Sequence, residues 1–423
     1  MNAVSQFTAM PEVAEVQPES ARQRRIALAV RELQSWIEVH DYAGYEPYDI
    51  LNSPLFSAIG LRLRTAGWAL IQIGKRFGGN TLRAVLHVRP GTNPKALGLM
   101  LAGYCDQFRS GAACSAQMRD IKSRLRSLRS PAEEDFCWGY DWNFVSLRGP
   151  VLPAFRPNAI ATVFCGQALL DFAEVAGDQE ALEMAVSVGR FIVARLNRSV
   201  DTAADLCFSY TPWDETRIYN SSALVAAFLA RLGLKIENPE YLQLAKRAMH
   251  YLVAQQQSDG SWFYGAGRMQ NWIDGFHTGY NLEALLAYRG MTGDTSVDSA
   301  VRRGSEFYRN HLFDHDGAPK YLHNSRYPID IHCCSQAILT FAALAPEDSQ
   351  AREKALEVAE WTLNAMRAPE GYFYYQAHRW WRNRTPYMRW GQAWMFRSLT
   401  RLEASLLGKE GQTRSVRETS LVS

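Results

Sequence analysis

Apolar positions along the chain follow the 3.6-residue period of helices, and they do so in two kinds of segment that take turns. One kind is apolar almost all round and rich in Ala and Leu. Such segments begin near Asn158 (AIATVFCGQALLDFAEVAGD), Asn220 (SSALVAAFLARLG), Asn281 (LEALLAYRGMTGD), Cys334 (SQAILTFAALAPED) and Gln392 (AWMFRSLTRLEASLLG), at intervals of 53–62 residues. One more step back from Asn158 reaches Leu97, inside KALGLMLAGYCDQF, and brings the number to six. The other kind carries one apolar stripe and one charged face, as in Tyr241 to Gln257 and Arg352 to Met366.

A helix apolar on every side needs cover on every side, whereas an amphipathic helix needs it on one. The pattern therefore predicts an all-α fold, an (α/α)6 toroid of six helical hairpins with apolar helices inside and amphipathic helices outside. The amphipathic stretch Arg22 to Val39 is available to complete the outer ring. Four regions follow: a disordered leader over 1–20, a helix and irregular segment over 21–93 that packs on the toroid, the toroid over 94–407, and a disordered tail over 408–423. Within the second region TLRAVLHVRP reads equally as a short strand or a helix.

Composition narrows the function. At 423 residues, 47% hydrophobic and 21% charged, the chain has material for one large toroidal domain. No apolar run approaches the roughly 18–20 residues of a bilayer span. The first twenty residues lack the basic and apolar regions of a secretory signal, so a cytoplasmic location is expected. A net charge of +3 argues against a nucleic-acid partner. The seven cysteines show no CxxC spacing, and the histidines no metal-type spacing, so buried thiols, no metal and no cofactor are expected.

The aromatics fall in the long loops that lead into the apolar helices: 137–158, 208–220, 259–281, 316–334 and 370–392. In a closed ring the inner helices share one direction, so these loops meet at one mouth, where helix N-termini present free N–H groups. Four of the loops deliver an acid, Asp141, Asp214, Asp274 and Asp330, and the last delivers Arg389. Trp142, Trp213, Trp272, Tyr387 and Trp390 flank them. Trp and Tyr faces stack on sugar rings, and carboxylates and Arg bind hydroxyls or uronate groups, so a glycan is the expected partner. Asp214 and Asp330 read equally well as helix N-caps. Asp274 lies in NWIDGFHTGYN beside His277, Tyr280 and Asn281, a polar group costly to bury without a ligand. His277 and His332 read either as acid/base groups or as structural hydrogen bonders. The stretch 379–401 adds six arginines among tryptophans, which suits an anionic sugar pocket.

The runs QNWIDGFHTGYNLEALLAY, DGAPKYLHNSRYPIDIHCCSQAIL and GYFYYQAHRWWRNRTPYMRWGQAWM resemble a group of bacterial proteins found with polysaccharide-biosynthesis genes. Many of these carry a delta-aminolevulinate dehydratase label. The resemblance covers roughly 135–405 and implies the six-hairpin glycosidase-like, α/α-toroid superfamily. The label itself implies a β/α barrel, which a chain without strand–helix alternation does not support. Gln256 to Trp262 is also similar to the QxxDGSW segment of terpenoid cyclases and to protein prenyltransferase β-subunits. It occurs once, without a DxDD acid motif or a zinc set.

The reading that results is an enzyme acting on a polar or uronic-acid-containing glycan. Under hydrolysis, Asp141 and Asp274 are the acid/base pair, with Arg389 and Tyr387 holding the sugar. Under elimination or epimerisation, His277, Tyr280 or Tyr387 moves the proton next to a carboxylate that Arg389 neutralises. A terpenoid-cyclase-like enzyme and a non-catalytic glycan-binding protein are the alternatives.

Overall fold

Side-chain caps set where seven of the helices begin. In the computed structural model, which describes residues 18–77, 79–145 and 151–420, α1 spans Pro18–Val39. Three short helices follow, α2 (Ser57–Arg62), α3 (Arg64–Phe77) and α4 (Asn80–Val85). The hairpins are then α5 (Pro94–Arg109) with α6 (Ser115–Ser127), α7 (Ala159–Ala176) with α8 (Gln179–Arg195), and α9 (Tyr219–Lys235) with α10 (Pro239–Ala254). They continue as α11 (Gly275–Thr292) with α12 (Asp298–His311), α13 (Ile331–Leu344) with α14 (Ser349–Ala365), and finally α15 (Trp394–Ser420). Asn93, Asn158, Asp274 and Asp330 each accept a hydrogen bond from a first-turn amide of an inner helix. Asp178, Asn238 and Asp348 do the same for outer helices. Each such cap is worth about 1 kcal/mol.

The inner helices α5, α7, α9, α11, α13 and α15 each pack on the next, and α15 packs back on α5. Among the described residues this makes a closed ring of six, the (α/α)6 toroid. Helix α1 lies against α14 and α15 and takes the sixth outer position. Residues Ile331 to Phe341 of α13 are buried without a break. On outer α12 only Ala300, Val301, Gly304, Phe307 and Tyr308 are buried, one face of the helix. All seven cysteines are buried and unbridged.

Three small antiparallel sheets decorate the loops: β1 (Phe144–Val145) with β2 (Val151–Leu152), β3 (Arg198–Asp201) with β4 (Leu206–Phe208), and a sheet of β5 (Ile329–Asp330), β6 (Gln376–Ala377) and β7 (Arg382–Asn383). Below the mouth, polar side chains cross the lumen. Arg397 of α15 pairs with Asp106 of α5 and donates to the Ala102 carbonyl at 3.2 Å, and Arg231 pairs with Asp171 at 2.8 Å.

Four expectations change. The segment TLRAVLHVRP is helical over Asn80–Val85. Helix α7, at 18 residues, is long and apolar enough to cross a bilayer, contrary to the expectation that no such run exists, but most of it is buried inside the ring. Of the six arginines in 379–401, Arg397 and Arg401 face Asp106 in the lumen instead of a sugar pocket. The leader over 1–20 falls largely outside the described residues, whereas 408–420 of the tail expected to be disordered continue α15 as helix, with side chains outside the described residues.

The DGSW segment is a turn that repeats. Gly260, Gly317 and Gly371, each following an outer helix, adopt φ of +91°, +82° and +93°. A Cβ on Gly260 would lie 2.3 Å from the Arg303 carbonyl oxygen, whereas one on Gly317 meets nothing within 4 Å. Gly317→Ala is therefore expected to lose only about 1–2 kcal/mol of stability, from left-handed backbone. Gly260→Ala adds a steric clash and is expected to lose clearly more. Urea unfolding midpoints of the two variants check the ranking.

Candidate active site

At the start of α11 the Asp274 cap also holds chemistry. Its Oδ1 accepts the His277 backbone N–H at 2.9 Å. Its Oδ2 accepts the Trp272 indole N–H at 2.9 Å and lies 2.6 Å from His277 Nδ1. The aspartate thus fixes the imidazole by one nitrogen and leaves Nε2 to face outward, among Tyr264, Phe276 and Tyr280. Trp272 is stacked on Tyr264 with centroids 4.4 Å apart.

Asp330 repeats the arrangement one helix on. It accepts from the His332 backbone N–H at 2.9 Å, the Trp390 indole at 2.8 Å and the Gln376 amide at 2.6 Å. Burial raises its pKa, and these hydrogen bonds oppose the rise. The His332 ring is buried between Phe276, Trp390 and Trp394. Its Nε2 shares a 2.6 Å hydrogen bond with the Tyr280 hydroxyl, and its Nδ1 has no partner. Burial, then the nearby Lys95 and Arg389 charges, hold the His332 pKa well below its ordinary value, and burial holds that of Tyr280 well above. The pair is a neutral imidazole against a neutral phenol.

Two groups here escape the sequence reading. Lys95, at the second position of α5, is only 3% exposed. Its Nζ sits 4.2 Å from the Phe164 ring centre, 5.0 Å from that of Trp394 and 5.6 Å from that of Tyr280. Among the described residues it forms no ion pair, and burial, then Arg389, drive its pKa well down. The available signal is a lone lysine at the start of an otherwise apolar inner helix, where the helix dipole disfavours a cation. Glu46 comes from the segment that the repeat does not explain. It accepts the Arg389 backbone N–H at 3.1 Å and pairs with the guanidinium at 2.9 Å. Burial pushes its pKa up to about 8 although Arg389 opposes the shift.

Arg389 lies over the rings of Trp142, Tyr140 and Trp390 at 4.7, 5.2 and 5.2 Å. Between the first two rings in sequence, Asp141 accepts from the Asn93 amide at 2.5 Å, and its pKa is raised by burial. Trp390 in turn contacts Phe276 and His332. Asp141, Asp274, His277, Tyr280, Asp330, His332, Arg389, Trp142, Trp272 and Trp390 therefore occupy one mouth. The inner helices also carry buried side-chain atoms without a partner among the described residues, on Asn220 and Ser221 of α9, Asn281 of α11 and Trp394 of α15. Each such buried group costs about 1–3 kcal/mol when left unsatisfied.

Three expected residues play other parts. Both Asp214 oxygens turn into its own loop, to Thr211 and Thr216, and the cap position of α9 falls at Ile218 instead. Trp213 is 43% exposed, with Arg156 against its outer face. Tyr387 is fully buried beneath Arg83, 4.9 Å from its ring centre, where it anchors the segment before α5. That segment lies over the mouth: Asn52 bonds the Asp141 carbonyl at 2.9 Å, and Tyr48 packs on Trp142 and Trp390.

No family model matches the chain, and no curated protein is similar to it at a significant level. Solved structures do share its fold. An unsaturated glucuronyl hydrolase specific for heparin aligns over 90% of this chain and 96% of its own, with 12% identity and a TM-score of 0.60. A cellobiose 2-epimerase from Bacillus thermoamylovorans aligns over 76% and 90%, with 14% identity and a TM-score of 0.60. A GH76 alpha-mannanase from Bacteroides thetaiotaomicron aligns over 75% and 86%, with 12% identity and a TM-score of 0.57. The fold is the six-hairpin glycosidase-like toroid.

Two outcomes test the electrostatics. Lys95 is a buried amine whose charged form is disfavoured, so Lys95→Met is expected to leave the melting temperature unchanged or raise it by a few degrees. Glu46 holds its proton more tightly folded than unfolded, because its pKa rises from 4.5 to about 8. Its contribution is complete below the unfolded value and is lost as pH climbs through about 8. Between pH 6 and 9, Glu46→Gln is expected to lose less stability than the wild type, by on the order of 1–3 kcal/mol. Urea midpoints at the two pH values measure the difference.

Proposed function

We propose that the chain is a carbohydrate-active enzyme that moves a proton at a sugar carbon beside a carbonyl or carboxylate group, a reaction of the epimerase or isomerase type. The observation that carries this reading is the pair of differently held imidazoles on adjacent inner helices. His277 is oriented by Asp274 with Nε2 left over, and neutral His332 is bound to Tyr280. In the reaction one imidazole takes the proton as the C–H bond breaks, and the electron pair moves to the neighbouring oxygen. Return of a proton to the opposite face inverts the carbon; neutral His332 acts as the base, and His277, which enters the step doubly protonated beside the Asp274 carboxylate, is the donor. No electrons leave the sugar, so no oxidant is needed.

The oxyanion formed on the way is stabilised by the cations at the mouth. Arg389 is the main one. Below pH of about 8 its partner Glu46 can hold a proton, which leaves the guanidinium charge for the substrate. Trp272, stacked on Tyr264 by one face and partly exposed, supplies a face for the sugar ring. Proteins described as a cellobiose 2-epimerase and a D-mannose isomerase share the fold, which supports a sugar substrate. The sequence resemblance favours a role in polysaccharide biosynthesis, and the guanidinium group of Arg389 at the mouth favours a uronic-acid-containing glycan.

One observation favours hydrolysis as a second reading. Asp141 is a buried carboxyl whose raised pKa suits a general acid, with Glu46 close enough to feel its charge. In that reading Glu46 replaces Asp274 as the second carboxyl, because both Asp274 oxygens are engaged.

Incubation with uronate and neutral oligosaccharides in heavy water, followed by mass spectrometry, separates the readings. Proton transfer gives uptake of a solvent deuteron at one carbon, hydrolysis adds water, and elimination removes it. His332→Gln and Tyr280→Phe are each expected to lower kcat by about a hundredfold or more with little change in KM. Turnover that survives both substitutions and disappears in Asp141→Asn would transfer the assignment to hydrolysis.

A further inference from the structure

Outside the ring, α1, the end of α3, the start of α4 and β7 line an open hollow of about 790 Å3. Its volume falls within the range of about 300–1,000 Å3 typical of ligand sites. Trp36, Tyr372 and Trp381 offer aromatic faces, and Arg76, Arg382 and Arg384 line it as well. Among the described residues none of those lining it is acidic. Arg382 and Arg384 are exposed and, among the described residues, have no ion-pair partner; Arg384 rests over the Tyr374 ring at 5.5 Å. Trp381 is held by stacking on His378, centroids 4.0 Å apart, yet stays 43% exposed. Aromatic faces fixed beside uncompensated guanidinium groups are the elements of a site for a sugar bearing carboxylates.

The hollow is also tied to the mouth. Arg382 stands on β7, which pairs with β6, which pairs with β5, where Asp330 caps the helix that carries His332. We propose that this hollow is an outer subsite that binds the distal, uronate-bearing residues of an acidic glycan. The carbohydrate identity of the ligand rests on the function proposed above, whereas the preference for carboxylates rests on the hollow's own residues. A nucleic-acid strand is the less favoured ligand, because the hollow is short and the chain's net charge is only +3.

Isothermal titration of the full chain with a galacturonic acid hexamer, a neutral mannose hexamer and a single-stranded DNA oligomer tests the proposal. The wild type is expected to bind the uronate hexamer at least tenfold more tightly than the mannose hexamer. Arg382→Ala combined with Arg384→Ala is expected to remove that preference, and Trp381→Ala to weaken binding of both hexamers. The side chains are exposed, so folding should persist, and circular dichroism confirms it; Arg382→Glu, expected to weaken uronate binding further, serves as a second variant. Failure of the wild type to bind the uronate hexamer, unchanged affinity in the variants, or tighter binding of DNA through the same arginines overturns the proposal. Uronate binding that depends on Arg382 and Arg384 without any turnover would leave the subsite standing and sink the epimerase reading. Turnover that needs His332 but is indifferent to the hollow would do the reverse.

Discussion

The contact between α15 and α5 is the one on which the rest of the molecule depends. Five hairpins stacked side by side would make an arc with two raw apolar flanks; packing α15 on α5 turns that arc into a ring and buries both. Arg397 crosses this junction to Asp106 and to the Ala102 carbonyl, so the seam is specified by charge as well as by apolar area. The outer position left over at the seam is filled by α1, from the far end of the chain. Only with the ring shut do the loops before the inner helices converge, and only then do His277, His332, Lys95 and Arg389 share one electrostatic neighbourhood.

Convergence alone does not make a site; the caps do the orienting. Asp274 and Asp330 each satisfy a free amide of a helix and at the same moment fix an indole or an imidazole. Capping and chemistry are therefore two uses of one carboxylate. The aromatic rings around them lower the local polarity, which is why His332 stays neutral and Glu46 can hold a proton near physiological pH.

The two helical layers are legible in the sequence because helix periodicity is local: an all-round apolar helix such as α13 announces its burial in its own residues. The Trp- and Asp-rich loops were legible for the same reason. What escaped depends on contacts between distant parts of the chain. Glu46 meets a partner 343 positions away, and nothing in YAGYEPYDILN marks it as an ion-pair residue. Lys95 is overlooked because a lysine in the first turn of a helix is ordinarily solvated; its burial is created by Phe164 and Trp394 from other hairpins. Arg397 and Arg401 look like neighbours of Arg389 along the chain, but helical rotation points them down the lumen while Arg389 stays at the mouth. The alternative for Asp214, cap or ligand, fails on both counts locally, since its oxygens are spent on Thr211 and Thr216.

The stapling of Glu46 to Arg389 has a consequence for how the molecule comes into being. A ribosome releases Glu46 343 residues before Arg389, so the cover of the mouth is made long before the surface it must rest on. Until the final hairpin emerges, the nascent arc shows uncovered inner-helix faces to its surroundings, and contacts of such long sequence separation form slowly. The architecture that gathers these side chains at one mouth thus imposes a late, all-at-once maturation, in which the mouth is absent until α15 has emerged.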